Sequence, residues 1–182
     1  MNDTAVSSKL AYFDILWMSS LDGPGNRVVV FLQGCHLRCP WCHSPHSWEK
    51  SASLLFFEAH CTLCGVCETV CPNQVHQIVN GKHRVDYSRC QKCGACVQSC
   101  PQSRRKPWNS GALGLLNYRK TPLELFRHLQ PQLELLKSIG GLTVSGGEPL
   151  LQPVGVRQLL ELCRADDVHT AVETSASLPL AV

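Results

Sequence analysis

The stretch that decides the fold is residues 27–43, RVVVFLQGCHLRCPWCH. Its first half is apolar and β-branched and follows a DGPG turn at residues 22–25, which predicts a buried strand. Its second half is a loop that carries Cys35, Cys39 and Cys42. Because the loop follows the strand without a break, we expect the three cysteines to lie at the strand's carboxyl end.

This cysteine loop has three thiolates and no fourth cysteine nearby. A cubane iron–sulfur cluster held by three cysteines has one iron without a protein ligand, and an external bidentate group such as the amino and carboxylate groups of an amino acid can bind there. The alternative is that His36 or His43 completes a zinc or iron site. Spacing alone does not decide between the two.

Eight further cysteines form a doubled pattern, in which the run C-x2-C-x2-C-x3-C-P starts at residue 61 and again at residue 90. This is the spacing of bacterial two-cluster ferredoxins, in which the fourth cysteine of each run ligates the other cluster. Structural zinc is the alternative, but it prefers paired knuckles with a long gap. We predict that the neighbouring His60 and His76 are surface residues without a role. The expected ligands are Cys61, Cys64, Cys67 and Cys100 for the first [4Fe–4S] cluster and Cys90, Cys93, Cys96 and Cys71 for the second.

Composition narrows the class of protein. The chain has 182 residues, 12 cysteines and a net charge of +3. Cysteines this close in sequence pair poorly with one another, which favours metal ligation over disulfides, and Cys163 lies in an apolar run that predicts a core position. The mild charge does not indicate nucleic acid, no apolar run reaches the roughly 18 residues of a membrane helix, and residues 1–18 show no secretory leader. We therefore expect a cytoplasmic protein that binds neither nucleic acid nor membrane.

The scaffold downstream of the cysteine runs alternates helices and strands. Thr121 and Glu124 form a capping box that opens the first helix. Parallel strands with right-handed crossovers follow from this order, and sites on such sheets gather at the carboxyl edge. By contrast, residues 1–12, 43–60 and 102–120 are predicted to be irregular linkers. The predicted helices are residues 121–138 and 153–165, and the predicted strands are residues 142–145 and 168–173.

Several motifs together resemble one enzyme family. CHLRCPWCH, residues 35–43, resembles the Cys-x3-Cys-x-aromatic-Cys signature of the radical S-adenosylmethionine (SAM) superfamily. DGPGNR at residues 22–27, the segment VVVFLQGC and SGGEP at residues 145–149 resemble motifs of glycyl-radical enzyme activating enzymes such as the pyruvate formate-lyase activases. The ferredoxin-like insert narrows the resemblance to activases with two additional clusters, such as the YjjW family. The resemblance covers residues 10–175.

The resemblance implies an α/β fold: a partial radical SAM (β/α) barrel of parallel strands with an inserted ferredoxin-like bis-[4Fe–4S] domain. We expect the barrel to begin at residues 1–58, the insert to be residues 59–104 and the barrel to continue through residues 105–182. Family members usually run on with further strands and SAM contacts. The barrel is therefore expected to be incomplete and the chain to be truncated at its C-terminus relative to the family.

The resemblance also implies the function. An enzyme of this family cleaves SAM reductively to a 5′-deoxyadenosyl radical and generates a glycyl radical on a partner enzyme under anaerobic conditions. It would carry three [4Fe–4S] clusters and SAM, and would receive electrons from a flavodoxin or ferredoxin. The alternative is a truncated, inactive electron-transfer protein that uses only the two ferredoxin clusters.

By the same resemblance, Cys35, Cys39 and Cys42 hold the catalytic SAM-binding cluster. Asp22 and Arg27 are expected to help receive the glycine loop of the partner enzyme. The residues expected to contact SAM are Trp41, His43, Ser145, Gly146, Gly147, Glu148, Pro149, Glu173 and Thr174.

Overall fold

The computed structural model describes residues 9–103 and 111–178, which form a mixed α/β fold. The chain divides into two compact units, Met1–Ser51 with Asn117–Val182, and Ala52–Leu116. The helices are α1 (Val66–Val70), α2 (Ala95–Ser99), α3 (Pro122–Leu136) and α4 (Pro153–Ala165), with short 3-10 helices at Pro45–Ser47, Glu58–His60, Tyr87–Arg89 and Pro149–Leu151. The strands are β1 (Leu10–Ser19), β2 (Asn26–Leu32), β3 (Ser53–Phe56), β4 (His76–Val79), β5 (Lys82–Val85), β6 (Leu113–Leu116), β7 (Tyr118–Lys120), β8 (Gly140–Gly146) and β9 (His169–Val172).

The first unit is built on a sheet with the strand order β7-β1-β2-β8-β9. Strands β2, β8 and β9 are parallel, in a register that places Leu32 beside Gly146 and Val144 beside Val172. The predicted parallel strands are therefore confirmed. Strand β1 is antiparallel to both β2 and β7. The prediction that residues 1–12 and 102–120 are irregular is wrong where β1, β6 and β7 lie.

Helices α3 and α4 pack on this sheet through a common core. The predicted capping box is present: Thr121 Oγ1 accepts from the Glu124 N–H at 3.2 Å, and Glu124 Oε2 accepts from the Thr121 N–H at 2.8 Å. Cys163 is fully buried in this core, as predicted. Within the described residues, no helix is both long and apolar enough to cross a membrane. The buried side chains include Val28, Val30, Leu32, Leu125, Leu129, Leu133, Leu142, Val144, Val156 and Leu159.

The second unit contains the doubled cysteine pattern. Strands β4 and β5 form a hairpin, and β3 pairs antiparallel with β6. The unit is wider than the expected insert of residues 59–104, because the pairing of β3 with β6 joins residues on both sides of that range to it. The prediction of an irregular linker at residues 43–60 is likewise wrong at β3. Helices α1 and α2 occupy equivalent places in the two repeats, each directly after a left-handed glycine, Gly65 (φ 77°) or Gly94 (φ 80°).

Candidate functional site

Three loops meet at the carboxyl edge of the parallel strands in the first unit. After β8, the Gly147 N–H donates to the Leu32 carbonyl at 2.8 Å, and the Glu148 N–H donates to the Gly34 carbonyl at 2.8 Å. After β9, the Glu173 N–H donates to the Val144 carbonyl at 2.9 Å. The backbone therefore brings the SGGEP segment to the start of the cysteine loop, as expected for sites at one edge of a parallel sheet.

The two glycines of this segment are required by close backbone packing. Gly146 has φ +105°, and a Cβ atom there would lie 2.3 Å from the Leu32 nitrogen. A Cβ atom on Gly147 would lie 2.2 Å from the Gly34 carbonyl oxygen. The absence of side chains thus lets the segment approach the end of β2 directly.

Glu148 fastens the loop that follows β9. Its carboxylate is 1% exposed and accepts hydrogen bonds from the Leu150 N–H (3.0 Å), the Thr174 hydroxyl (2.6 Å), and the N–H (3.0 Å) and hydroxyl (2.6 Å) of Ser175. Burial alone would raise the pKa of Glu148, but the hydrogen bonds from Ser175, Thr174 and Leu150 outweigh it and lower the pKa below its ordinary value. Because its oxygens are occupied in this way, the carboxylate positions other residues of the site.

A second set of hydrogen bonds links the loop after β9 to its neighbours. The Ser145 hydroxyl donates to the Glu173 carboxylate. The hydroxyls of Ser175 and Ser177 lie 2.7 Å apart, and Ser177 Oγ lies 2.9 Å from His36 Nε2. His36 lies inside the cysteine loop, so these contacts connect that loop to the end of β9. With Nε2 engaged by Ser177, His36 is a poor candidate for a fourth ligand through that atom.

The cysteine loop is held at its two ends. The Gly34 and Cys35 N–H groups donate to the Ser47 and Trp48 carbonyls at 2.7 and 3.0 Å. Inside the loop the Cys42 N–H donates to the Cys39 carbonyl at 3.0 Å. All three cysteines are partly exposed, Trp41 is 81% exposed, and His43 is also exposed. The thiols therefore face a region that a cluster and a small ligand can enter.

Two glutamines that sequence reasoning did not single out fix this loop to the sheet. Gln33 is buried, and its Nε2 donates to the carbonyls of His46 (3.0 Å) and Glu49 (2.7 Å). Gln152 Nε2 donates to the carbonyls of Ala11 and Gln33, both at 2.9 Å. The side chains bind backbone groups on distant segments, so the sequence alone has no local signal for them.

Arg27 lies at the opposite edge of the sheet from the cysteine loop. It pairs with Gly141 near the amino ends of the parallel strands and precedes Leu32 by five residues, or roughly 17 Å along the strand. The side chain is fully buried, its Nε donates to Thr143 Oγ1 at 2.9 Å, and Nη1 lies 3.0 Å from His169 Nδ1. Burial lowers the pKa of Arg27. The expectation that Arg27 receives a partner's glycine loop is therefore wrong, and its role is structural.

The second unit contains two cavities lined by cysteines. The grouping crosses the two sequence repeats, because the fourth cysteine of each run lies with the first three of the other. The first cavity is lined by Cys61, Cys64, Cys67 and Cys100, and the second by Cys71, Cys90, Cys93 and Cys96.

The environment of these thiols suits a positively charged partner. Burial, together with the neighbouring Cys100 and Cys61, raises the pKa of Cys67 to about 11. Burial and the neighbouring Cys71 and Cys90 raise the pKa of Cys96 to about 11 in the same way. Crowded, buried thiols of this kind lose their protons readily only to a metal, and iron would supply the positive charge that stabilises the thiolates. The donor set therefore fits an iron–sulfur cluster in each cavity.

Two histidines lie against these cavities. His76 and His83 are 1% and 6% exposed, so the prediction that His76 is a surface residue is wrong, whereas His60 is exposed. His83 Nδ1 lies 3.4 Å from Cys61 Sγ and its Nε2 lies 3.7 Å from Cys67 Sγ. Burial, together with the neighbouring His83, lowers the pKa of His76 to about 4. Cys67, His76 and His83 also form a group whose ligand atoms lie within 4.8 Å of one another.

Known proteins resemble this chain both in the cysteine-rich second unit and over most of its length. Residues 53–101 match the family described as a 4Fe-4S dicluster domain. The chain is 38% identical to the choline trimethylamine-lyase activating enzyme of Oleidesulfovibrio alaskensis, over 93% of this chain and 53% of the relative. It is 37% identical to the benzylsuccinate synthase activating enzyme of Thauera aromatica, over 89% of this chain and 48% of the relative.

A third relative is also an activating enzyme. The 4-hydroxyphenylacetate decarboxylase activating enzyme of Clostridioides difficile is 38% identical, over 90% of this chain and 51% of the relative. The chain spans about half the length of the curated relatives it matches. The resemblance drawn from the sequence motifs is confirmed: the chain is a homologue of the glycyl-radical enzyme activating enzymes and contains a 4Fe-4S dicluster domain.

Proposed function

We propose that this chain is a radical SAM activating enzyme that cleaves SAM reductively and generates a glycyl radical on a partner enzyme. The observation that carries the proposal is the meeting of three loops at one sheet edge: the loop with Cys35, Cys39 and Cys42 after β2, the SGGEP segment after β8, and residues 173–177 after β9. The relatives described above are activating enzymes, which supports the same function.

Cys35, Cys39 and Cys42 would hold the cluster that binds SAM. When bound, a [4Fe–4S] cluster on three thiolates supplies an electron and one iron that is open to the amino and carboxylate groups of SAM. The partly exposed thiols fit this arrangement. The contact of His36 Nε2 with Ser177 Oγ weighs against His36 as a fourth ligand through that atom.

The residues around this loop would orient SAM. Ser145 and Glu173 share a hydrogen bond at the end of the parallel strands and offer polar atoms to the methionine part of SAM. Gly146 and Gly147 hold the backbone close to the cysteine loop, and Pro149 follows Glu148 in the same segment. Glu148 orders Thr174 and its neighbours through its hydrogen bonds. We assign Trp41 and His43, both exposed, to the adenine side of the ligand.

The second unit would carry two further [4Fe–4S] clusters, one in each cysteine cavity, which gives three clusters in the chain. Their role is to pass electrons from an external donor, a flavodoxin or ferredoxin, toward the SAM cluster. We further propose that β2, β8 and β9 with α3 and α4 are the first repeats of a partial radical SAM (β/α) barrel, because their parallel order and their alternation with helices are those of such a barrel.

The test is anaerobic reconstitution of the full chain, followed by iron and sulfide analysis and then by SAM and dithionite. We expect about twelve irons per chain and formation of 5′-deoxyadenosine. The Cys39→Ser variant should lose about four irons and all SAM cleavage while it keeps the clusters of the second unit. About eight irons in the unsubstituted chain, with no SAM cleavage, would instead favour an electron-transfer protein, and zinc without iron would contradict both.

A further inference from the structure

A buried pair of histidines connects the two cysteine cavities of the second unit. His83 lines the first cavity and His76 lines the second. Both rings are buried, and His76 Nδ1 lies 3.0 Å from His83 Nε2. Polar atoms of the pair thus extend from the wall of one cavity to the wall of the other.

The His83 ring is held in a defined orientation. Phe56 packs against it, with ring centroids 4.3 Å apart and an interplanar angle of 58°. Its Nδ1 atom faces Cys61 Sγ at 3.4 Å, while its Nε2 atom faces His76 Nδ1 at 3.0 Å. Nε2 also lies 3.7 Å from Cys67 Sγ, so the shorter contact of each ring nitrogen, Nδ1 with Cys61 and Nε2 with His76, decides which nitrogen carries the proton.

The number of N–H groups on the two rings indicates which atom donates in each hydrogen bond. A neutral imidazole has one N–H group and one acceptor nitrogen. Cysteine thiolates bound to iron only accept. Cys61 Sγ is nearer to His83 (3.4 Å) than Cys67 Sγ is (3.7 Å), and Nε2 is closest to His76, so we place the proton of His83 on Nδ1. His83 Nε2 then accepts from His76 Nδ1–H. The remaining nitrogen, His76 Nε2, is buried without a hydrogen-bond partner among the described residues, as this order leaves it.

We propose that His83 is an N–H donor to the Cys61 thiolate that raises the reduction potential of the cluster in the first cavity, and that His76 is a positioning residue that fixes the tautomer of His83. The inference rests on the clusters of the proposed function. Reduction adds negative charge to a cluster, so a hydrogen bond to its sulfur stabilises the reduced form more than the oxidised form.

The pair makes the two cavities unequal although their cysteine patterns are the same. In the second cavity, Cys71 Sγ accepts from the Val75 N–H and Cys90 Sγ accepts from the Lys92 N–H, both at 3.4 Å. These donors are backbone groups, which a substitution does not remove, whereas the first cavity has a side-chain donor. The potential of one cluster can therefore be adjusted at His83 without a change of ligand.

The test uses the reconstituted full chain under anaerobic conditions, with redox titrations followed by electron paramagnetic resonance (EPR). His83→Phe keeps a ring in the pocket but removes the donor. We expect the equilibrium constant for one-electron reduction of one cluster of the second unit to fall about tenfold, equivalent to about 60 mV, with the other cluster unchanged. His60→Phe, at an exposed histidine next to Cys61 in sequence, is the matched control and should change neither.

His76 is tested by loss and rescue. His76→Phe should lower the potential of the same cluster by less than His83→Phe does, because His83 keeps its ring but loses the partner that fixes its tautomer. His76→Asn should restore the potential, since the amide nitrogen of Asn can stand where Nδ1 stood. If His76 only filled space, the Phe and Asn variants would not differ in this way.

A measurement on the unsubstituted chain needs no variant to fold. With ¹⁵N-histidine, pulsed EPR of the reduced clusters should show a weak ¹⁵N coupling, and His83→Phe should remove it. An absent coupling, or unchanged potentials in His83→Phe, would overturn the inference while the clusters themselves remain. One zinc per chain at Cys67, His76 and His83 would also overturn it, and cavities without iron would overturn both this inference and the proposed function.

Discussion

Glu148→Gln tests whether the buried carboxylate holds the site together. Gln has nearly the same shape, but one carboxylate oxygen becomes an NH2 group. At the Oε1 position this group would face the Leu150 N–H and the Thr174 hydroxyl. At the Oε2 position it would face the N–H and the hydroxyl of Ser175. The hydroxyls can rotate to accept, whereas a backbone N–H cannot. One backbone N–H of this partly buried network therefore loses its acceptor, and the remaining hydrogen bonds lose their charged acceptor.

The expected cost follows from these contacts. An orphaned donor costs about 1–3 kcal/mol, and hydrogen bonds to a charged acceptor are worth about 1 kcal/mol more than neutral ones, so we expect a loss of about 2–4 kcal/mol. For a chain of this size that lowers the unfolding temperature by about 5–15 °C. Glu161→Gln is the matched control, since Glu161 is 61% exposed and pairs with Arg157 at 3.5 Å, and its effect should be within about 0.5 kcal/mol.

The effect of Glu148→Gln should also depend on pH. The pKa of Glu148 is lowered in the folded chain, so its contribution is complete above the unfolded pKa of about 4.3 and is lost as the pH falls through the folded pKa. The stability difference between the two proteins should be constant near neutral pH and shrink in acid. Thermal unfolding would measure it, and hydrogen exchange should show faster exchange of the Ser175 amide. Equal unfolding temperatures of the two proteins, with unchanged exchange of the Ser175 amide, would show that the Glu148 carboxylate does not hold this loop.

Three further substitutions test other parts of the structure. In urea unfolding, Gly146→Ala should lower the free energy of unfolding by about 2–4 kcal/mol. Gly81→Ala is the control, because Gly81 also has a positive φ but has open space around it, and should cost about 1 kcal/mol. Equal costs would contradict the close packing at Gly146. Arg27→Met should destabilise the chain by about 3 kcal/mol without selective loss of SAM binding, and a binding defect alone would return Arg27 to the site. Cys100→Ser should remove iron from the first cavity only, and loss of the second cluster instead would contradict the crossed grouping.

Much of the fold could be predicted because its signals are local. Strand β2 is a run of apolar residues after a turn, and α3 begins with the capping box of Thr121 and Glu124. Strand β1 was not predicted because Leu10–Phe13 are all buried, so the segment lacks the alternation of buried and exposed residues that indicates a strand. Strand β7 is short and polar, as an edge strand often is, and β3 and β6 are defined by pairing with each other across the cysteine repeats.

In the site, too, residues with a local sequence signal could be predicted and those that depend on distant partners could not. The cysteines could be grouped from spacing because cluster geometry constrains the sequence around each ligand. Glu148 and His83 could be assigned only after folding. Distant partners of Glu148 lie in the loop after β9, and those of His83 lie in β4 and at Cys61 in the first cysteine run. Arg27 shows the opposite error: a charged residue beside a recognised motif was assigned to the site, but its charge is satisfied inside the sheet.

The proposed function requires that the cluster on Cys35, Cys39 and Cys42 has one iron without a protein ligand. The most direct measurement is electron-nuclear double resonance of the reduced full chain, with SAM labelled by ¹⁵N and ¹⁷O in its amino and carboxylate groups. We expect ¹⁵N and ¹⁷O couplings of directly bound ligands, and their loss in Cys39→Ser. A reduced SAM-loop cluster that shows no coupling to the label, or a histidine nitrogen bound in its place, would contradict it.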